Sequence, residues 1–273
     1  MIFKERNMTA DCHTHSLFSP DGTEEPRDLI ETAIKQGLTH IAITDHADLM
    51  TPDNFTGIDG GNIDRYIDTL LALKEEYKNK IYVCVGLEIG YTPQSEQAAK
   101  ELVSGIYPEY VVNSVHYVRG SDCYAKEHFA DLDKAEAYGQ YLEAVRQSLN
   151  CPYRFDAVGH LGYIERFAPY ENARITFREF SEQITDIFET IIRKGAILEA
   201  NTSVSGAPSA SLPSEELFKI YYDMGGRKIT TSSDAHLRID IGRKFAQTEA
   251  MLKKIGFEYL TVKQNGEQRQ LKF

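Results

Sequence analysis

The 273-residue chain has no apolar run near the roughly 18 residues that a membrane-spanning helix needs. Charged residues begin at Lys4, so we expect no secretory signal here. The cysteines are few and widely separated, with no C-x-x-C pair, at Cys12, Cys84, Cys123 and Cys151. Scattered thiols are typical of a reducing compartment and do not form the closed ligand set of a zinc ribbon. The sequence therefore predicts a cytoplasmic protein with no membrane partner.

Positive charge is also scarce. The chain has 30 Lys and Arg against 41 Asp and Glu, a formal net charge of −11, and no long basic run. Such a chain is a poor partner for the phosphate backbone of nucleic acids, so we expect no nucleic-acid partner. A small phosphorylated substrate stays possible, because bound metal ions could supply the positive charge.

Several catalytic motifs are missing as well. The sequence contains no G-x-S-x-G motif, no P-loop and no paired Cys-His arrangement. It therefore gives no indication of a covalent intermediate on serine or cysteine.

What the sequence does contain is a regular alternation of two kinds of segment. Short apolar runs, which predict buried strands, occur at Met8–Cys12, Ile41–Thr44, Ile81–Leu87, Tyr110–Val115, Phe155–Gly159, Ile197–Ala200 and Lys228–Ser232. Helix signals lie between them, at Arg27–Gln36, Ile63–Lys78 after a cap at Asn62, Thr176–Lys194 with Thr176 as the cap, and Glu215–Met224. Alternating strands and helices predict a parallel sheet, and seven repeats favour a barrel.

The pattern changes after Gly256. Alternating segments at Tyr259–Lys263 and Gln268–Phe273 flank an Asn-Gly pair, which predicts a β-hairpin. No linker divides the chain and no internal repeat is present. We therefore predict a single domain over residues 1–273, with the hairpin appended at about residues 257–273. The stretch Ser203–Ser214 is predicted to be a lid or specificity loop on the active face of the barrel.

Polar residues that could carry chemistry follow each predicted strand directly. They include six of the eight histidines and two carboxylates, namely His13, His15, His46, Glu88, His116, His160, Asp234 and His236, and the sixth strand is followed by Asn201. In a parallel barrel all these strand ends meet at one rim. A single such histidine would be explained as a core or surface residue, as we expect for His40 and His128. Recurrence on one rim predicts a metal site instead.

The types of ligand residue limit which metal ions the site could bind. Imidazole and carboxylate without thiolate favour Zn, Mn or Fe at a catalytic site. His13 and His15 are two residues apart on a strand, so both can chelate one ion. Asp21 lies just beyond them in a Ser-Pro-Asp-Gly stretch, where it is either a further ligand or a turn-forming residue.

These motifs together resemble a known family, the polymerase-and-histidinol-phosphatase (PHP) family, and within it the histidinol-phosphate phosphatases. The similarity covers most of the chain and rests on the stretches His13-x-His15, Thr44-Asp45-His46, Gly86-Leu87-Glu88, Ser114-Val115-His116, Gly159-His160-Leu161, Glu199-Ala200-Asn201-Thr202 and Ser233-Asp234-Ala235-His236.

The resemblance implies a distorted (β/α)7 barrel with three divalent ions, Zn, Mn or Fe. It implies that the first ion is held by His13, His15, Glu88 and Asp234. Glu88 would bridge to a second ion at His116 and His160, and the third ion would be held by Asp21, His46 and His236. Glu88, Asp234 and His236 are the residues to which we assign catalytic roles.

The activity implied by the resemblance is hydrolysis of L-histidinol phosphate to L-histidinol and phosphate, in histidine biosynthesis. A metal-bridging hydroxide would attack phosphorus in line. Arg166 matches a family arginine that contacts phosphate, and Asn201 is a second expected substrate-binding residue. The chain departs from the family at Gly162 and at the loop after Ser203, where some relatives have a second arginine. Basic residues that could compensate for the missing arginine are Arg119, Arg243 and Lys244.

Three alternative functions remain. The chain could hydrolyse another small phosphomonoester, such as a sugar phosphate, a nucleotide or phosphotyrosine. It could be a nuclease or polymerase-linked module, which the negative charge disfavours. It could be an inactive metal-binding domain, which the complete ligand set disfavours.

Overall fold

The computed structural model describes residues 10–51, 57–204 and 210–272. In chain order the elements are β1 (Ala10–Asp11), α1 (Pro26–Gln36), β2 (His40–Ile43), β3 (His46–Ala47), α2 (Ile63–Tyr77), β4 (Tyr82–Gly90), α3 (Glu96–Ile106), β5 (Tyr110–Ser114), β6 (Tyr117–Val118), β7 (Ser121–Asp122), α4 (Lys134–Ser148), β8 (Ala157–Val158), α5 (Ser181–Lys194), β9 (Ile197–Asn201), α6 (Glu215–Asp223), β10 (Ile229–Ser232), α7 (Phe245–Ile255), β11 (Tyr259–Gln264) and β12 (Glu267–Lys272). Single 3₁₀ turns occur at Lys126–Phe129, Tyr163–Arg166 and Arg238–Asp240.

Seven parallel strands form the wall of a nearly closed barrel. Their order is β1, β2, β4, β5, β8, β9 and β10, and the short β3 pairs with the far end of β4. The barrel closes between β10 and β1, where Cys12 N donates to Thr231 O over 3.0 Å. The predicted (β/α)7 barrel is confirmed, and each of the seven apolar runs overlaps one wall strand. Met8 and Thr9, in the first run, lie outside the described residues.

The helices follow the predicted pattern with two corrections at their starts. Asn62 precedes α2, but its side chain does not cap the helix: it accepts from Asp59 N and donates to Gly57 O in the preceding turn. The helix predicted from Thr176 begins at Ser181, because the Thr176 hydroxyl accepts from Glu179 N in a separate turn. Both polar side chains satisfy a local turn in place of a helix end.

The hairpin β11–β12 covers the N-terminal end of the barrel, as its contacts show. Asn265 and Gly266 have φ of 52° and 77°, the left-handed pair that a tight hairpin turn requires. Lys263 Nζ lies 3.0 Å from Asp156 Oδ1, just before β8 begins. The hairpin is therefore confirmed, and it leaves the C-terminal rim of the barrel free for a functional site.

No helix within residues 10–51, 57–204 and 210–272 combines the length and the apolar character needed to cross a bilayer.

Candidate metal centre

The predicted ligands from different strands lie together at the C-terminal rim. His15 is at the middle of the imidazole group: its ring centroid is 4.1 Å from that of His236, 4.2 Å from that of His46 and 5.0 Å from that of His13. His116 and His160 form the other side, with ring centroids 5.1 Å apart. His236 is the only one of these six rings that is more than slightly exposed.

Glu88 is the hub of this cluster and is fully buried on β4. Its Oε2 lies 2.9 Å from His46 Nδ1 and 3.2 Å from His13 Nε2. Its Oε1 lies 2.9 Å from His160 Nε2 and 3.2 Å from His116 Nε2. Because each oxygen faces a different pair of imidazoles, this carboxylate can bridge two cations.

Two more carboxylates reach the same group. Asp234 Oδ1 lies 3.3 Å from His15 Nε2, and Asp21 Oδ2 lies 3.1 Å from His236 Nε2 and 3.8 Å from His46 Nε2. Asp21 therefore faces the cluster as well as belonging to a turn. Asp234 has a φ of 51°, a left-handed backbone that few residues other than glycine adopt. Such strain is frequent where a side chain must be held in a functional direction.

Among the residues that the structure describes, three overlapping groups of donor atoms are close enough to hold a metal ion. Within each group the atoms lie within 4.8 Å of one another, and the groups are His15–His46–His236, His13–His15–Glu88 and His46–Glu88–His116. The buried atoms His13 Nε2, His15 Nε2 and Glu88 Oε2 make no well-directed hydrogen bond within the described part of the chain. Buried polar atoms rarely lack such partners. These donors are therefore suited to a cation.

Burial and the surrounding charges act in opposite directions on the imidazoles. Burial lowers the pKa of His13, but Glu88, Glu199 and Asp234 together raise it well above its usual value. Burial and the neighbouring His236 and His46 lower the pKa of His15 to about 3. In the absence of metal, protons on some imidazoles balance the carboxylates that a cation would otherwise neutralise.

Behind the cluster lies a second layer of polar groups that the sequence analysis missed. Glu199 Oε1 is 2.7 Å from His13 Nδ1, and Asp48 Oδ2 is 2.6 Å from His116 Nδ1. Ser19 Oγ is 3.0 Å from His15 Nδ1. Such partners fix the tautomer and the direction of metal-binding imidazoles. The sequence feature that could have revealed Glu199 is its spacing. It lies two residues before Asn201 on β9, and residues two apart on a strand face the same side.

A cavity of about 630 Å³ opens beside the cluster. Arg166 reaches into it from the 3₁₀ turn after β8. One terminal nitrogen of its guanidinium lies 3.0 Å from both Asn201 Oδ1 and Asp234 Oδ2. The two residues predicted to bind substrate, Arg166 and Asn201, are therefore in contact with each other and with the carboxylate cluster.

The cavity also has a wall that the sequence gave no reason to expect. It is formed by Tyr117, Asp122, Tyr124 and Phe167, from the small β6–β7 hairpin and the segment after the 3₁₀ turn. The rings of Tyr124 and Phe167 lie 4.0 Å apart. A carboxylate among aromatic rings suits a ligand that has both a cationic and a flat apolar part.

The structure also shows the surroundings of the two positions, Gly162 and Ser203, where the sequence departs from the pattern of the family that it resembles. Gly162 has a φ of 108°, so a side chain there would be strained. Of the three candidate compensating residues, Arg243 contacts Ser203: its terminal nitrogen donates to Ser203 Oγ over 2.7 Å. Arg119 instead extends toward Gln140, and Lys244 directly precedes α7. Ser203 lines the cavity, while residues 205–209 of the predicted lid lie outside the described residues.

The remaining two histidines are away from the cluster, as expected. His40 stacks on Tyr82 at the start of its strand, with ring centroids 5.2 Å apart. His128 is buried next to Phe129 and Cys123.

Comparison with known proteins gives a consistent result. Residues 11–203 match the model of the PHP domain family. The chain is 29% identical over 252 residues to a histidinol-phosphatase of Lactococcus lactis subsp. lactis, covering 92% of both chains. It is 29% identical over 256 residues to a probable histidinol-phosphatase of Clostridium acetobutylicum, covering 92% of this chain and 97% of that one.

A solved structure is similar over nearly the whole chain. It is the crystal structure of histidinol phosphate phosphatase from Lactococcus lactis subsp. lactis, complexed with Zn, L-histidinol and phosphate. The TM-score is 0.87 at 27% sequence identity, and the match covers 96% of this chain and 98% of that one.

Proposed function

This chain belongs to the PHP domain family, and on that premise we propose that it is a metal-dependent phosphomonoesterase that hydrolyses L-histidinol phosphate to L-histidinol and phosphate. The observation that carries the proposal is the arrangement of five imidazoles around Glu88, in a cluster whose Asp234 is paired with the guanidinium of Arg166. Similarity over nearly the full length to a histidinol phosphate phosphatase supports the same activity.

Nine side chains would hold three divalent ions. His13, His15, Glu88 and Asp234 would hold the first, and Glu88 would bridge to a second at His116 and His160. The third would be held by Asp21, His46 and His236. The chemistry of the donor set supports this, since nitrogen and carboxylate donors without sulfur suit Zn, Mn or Fe at a catalytic site. Zn is the ion bound in the Lactococcus relative.

When bound, such ions would lower the pKa of a water molecule from about 15.7 towards about 7 and neutralise charge on the phosphate oxygens. The chain's own residues would position the substrate for in-line attack. Arg166 would donate to phosphate oxygens through its planar guanidinium, and Asn201 would hold that guanidinium in place. Asp48 and Glu199 would keep His116 and His13 in the tautomer that binds a metal.

The wall of Tyr117, Asp122, Tyr124 and Phe167 supports histidinol as the leaving group. Histidinol has an ammonium group and an aromatic ring, which match a carboxylate and aromatic side chains. A sugar phosphate offers neither group. The wall therefore favours histidinol phosphate over a sugar phosphate.

The same proposal takes residues 1–273 as one phosphoesterase domain. It is supported by the closure of β10 on β1 and by the packing of the hairpin on the barrel. The cytoplasmic location and the place of the reaction in histidine biosynthesis stay predictions from the sequence.

The deciding experiment is a comparison of substrates. Phosphate release is measured with Zn, Mn or Fe present, from histidinol phosphate, p-nitrophenyl phosphate, a phosphodiester and single-stranded DNA. We expect the highest kcat/KM for histidinol phosphate. A lower kcat/KM for it than for p-nitrophenyl phosphate would exclude the proposed substrate, and preferred cleavage of DNA would support the nuclease alternative.

The metal mechanism has a separate test. His13→Ala and Glu88→Ala should lose turnover on every substrate and lower the metal content measured by elemental analysis. His40→Phe is the matched control: this buried imidazole is outside the cluster, and its nitrogens make no hydrogen bond within the described residues. That variant should retain both activity and metal. Turnover by either alanine variant would refute the mechanism.

The variant Asp122→Asn tests the role of the leaving-group wall independently of the metal centre. It should raise KM for histidinol phosphate about tenfold, as expected for a lost charge-assisted hydrogen bond. The KM for p-nitrophenyl phosphate, which has no cationic group, should stay within about twofold. Equal effects on the two substrates would mean that Asp122 does not contact the ammonium group.

A further inference from the structure

One wall of the cavity is built from a continuous series of hydrogen bonds that links two arginines. Arg166 donates to Asn201 Oδ1 over 3.0 Å, and the same oxygen accepts from Ser203 N over 2.9 Å. Ser203 Oγ in turn accepts from a terminal nitrogen of Arg243 over 2.7 Å. Arg166 and Ser203 line the cavity. Arg243 supports Ser203 from behind.

The hydrogen bond from Arg243 determines the direction in which the Ser203 hydroxyl can donate its hydrogen. A hydroxyl has one hydrogen to donate and two lone pairs, whereas a guanidinium can only donate. Ser203 Oγ must therefore be the acceptor, and its hydrogen must point away from Arg243. The positive charge on the donor also polarises the hydroxyl and makes it a stronger donor. Ser203 is thus prepared to donate to an acceptor in the cavity.

Arg243 is held firmly enough to serve this purpose. Its other terminal nitrogen lies 3.1 Å from Asp240 Oδ1, which anchors the guanidinium. Its Nε is buried and has no hydrogen-bond partner within the described residues, and the same is true of Nε in Arg166. Of these two donors, the Nε of Arg166 belongs to a side chain that lines the cavity, so it is complementary to an anion there.

We propose that Ser203 is a phosphate-binding residue that donates its hydroxyl to a phosphate oxygen, and that Arg243 is the positioning residue that orients it. The ligand class is a phosphate monoester or inorganic phosphate. The proposal rests on the proposed function for the source of that phosphate. The roles assigned to Ser203 and Arg243 are argued from the hydrogen bonds that link Arg166, Asn201, Ser203 and Arg243.

The test measures binding of inorganic phosphate to the zinc-loaded protein by titration calorimetry. Ser203→Ala should weaken phosphate binding about tenfold, the effect of one hydrogen bond to a charged group. Ser203→Thr keeps the hydroxyl and should stay within about threefold of the wild type. In turnover, Ser203→Ala should raise KM and the inhibition constant of phosphate more than it lowers kcat. Unchanged phosphate binding by the folded, zinc-loaded Ser203→Ala variant would overturn the proposal.

A double-mutant cycle identifies the role of Arg243. Arg243→Met should weaken phosphate binding roughly fivefold or more in the wild type and less than twofold in the Ser203→Ala background, because Arg243 acts through Ser203. Arg243→Lys, which keeps a cationic donor, should restore part of the affinity. Equal losses in both backgrounds would show that Arg243 does not act by positioning Ser203.

Arg238→Met is the matched control. Arg238 lies on the same segment after His236, and it pairs with Glu24 and Asp28 away from Ser203. This variant should bind phosphate and zinc as the wild type does. A loss of phosphate affinity as large as that of Arg243→Met would attribute the effect to general charge and would overturn the positioning role.

The outcomes also distinguish this inference from the proposed function. If the wild type binds phosphate but turns over no phosphomonoester, the proposed function fails, while a weaker phosphate affinity of Ser203→Ala still supports the inference. If histidinol phosphate is hydrolysed and Ser203→Ala binds phosphate normally, the inference fails and the proposed function stands.

Discussion

Glu199 Oε1 lies 2.7 Å from Nδ1 of His13, and both side chains are buried at the heart of the barrel. Its other oxygen accepts from the backbone N–H of His160. One carboxylate from β9 therefore fixes the orientation of an imidazole after β1 and the backbone of another after β8. The carboxylate belongs to a residue 186 positions from the first of these histidines.

Glu199→Gln should lower zinc affinity about tenfold without unfolding the protein. Glutamine keeps only one acceptor oxygen, so either His13 or the His160 backbone loses its partner, and outer partners of this kind affect metal affinity by about 10- to 100-fold. Zinc affinity is measured by competition with a chromophoric chelator. Glu249→Gln, at a buried carboxyl on α7, is the control and should bind zinc normally. Normal affinity in Glu199→Gln would contradict the role.

Gly90→Ala should weaken metal binding although glycine offers no ligand. A Cβ at this position would overlap the carboxylate of Asp48, which is bonded to His116. Displacing Asp48 would release His116 from its metal-binding orientation, so we expect both a lower zinc affinity and a lower melting temperature. Gly105→Ala in α3, where a Cβ would meet no atom within 4 Å, should keep zinc affinity and stabilise the helix by up to about 1 kcal/mol.

Zinc binding near neutral pH should release protons. Burial opposes the charge on His116, but Asp48 and Glu88 raise its pKa to about 10, and Glu88 is the main cause of the high pKa of His46. A metal binds only the neutral imidazole, so it must displace these protons. Zinc affinity should therefore rise with pH over the neutral range. Calorimetry in buffers of different ionisation enthalpy counts the protons, and a buffer-independent enthalpy would contradict the prediction.

Glu165→Gln should stabilise the protein above about pH 7. Burial raises the pKa of Glu165 from 4.5 to about 7. The folded state thus holds this proton more tightly than the unfolded state, so its stability falls as the pH rises from 4.5 to about 7. Glutamine removes that loss and still accepts from Ile175 N, which lies 2.8 Å from Oε1.

The gain from Glu165→Gln should reach at most about 3 kcal/mol at alkaline pH and vanish near pH 4.5. Urea unfolding of the two proteins across this pH range measures it. A difference in unfolding free energy that does not change with pH would show that Glu165 does not titrate in this way.

Much of the barrel, and the clustering of the candidate metal ligands, could be predicted from the sequence. Strands such as Ile197–Asn201 and Ile229–Ser232 have apolar runs that their burial requires, and parallel topology then brings every strand end to one rim. The positions of His13, Glu88 and Asp234 after or within their strands follow from local chain order. Once the fold is known to be a parallel barrel, these positions are enough to predict that the three residues lie in one cluster.

The tertiary structure decided the hydrogen-bond partners of those candidate ligands. Asp48 behind His116, Glu199 behind His13 and Arg243 behind Ser203 are contacts between segments far apart in the chain. Their geometry depends on side-chain packing and on the register between strands, which no local pattern encodes. Asp122 and Phe167 became neighbours of the site for the same reason. The sequence alone determined the fold and which residues could bind metal, whereas the three-dimensional packing determined how those residues are oriented and what else the cavity can recognise.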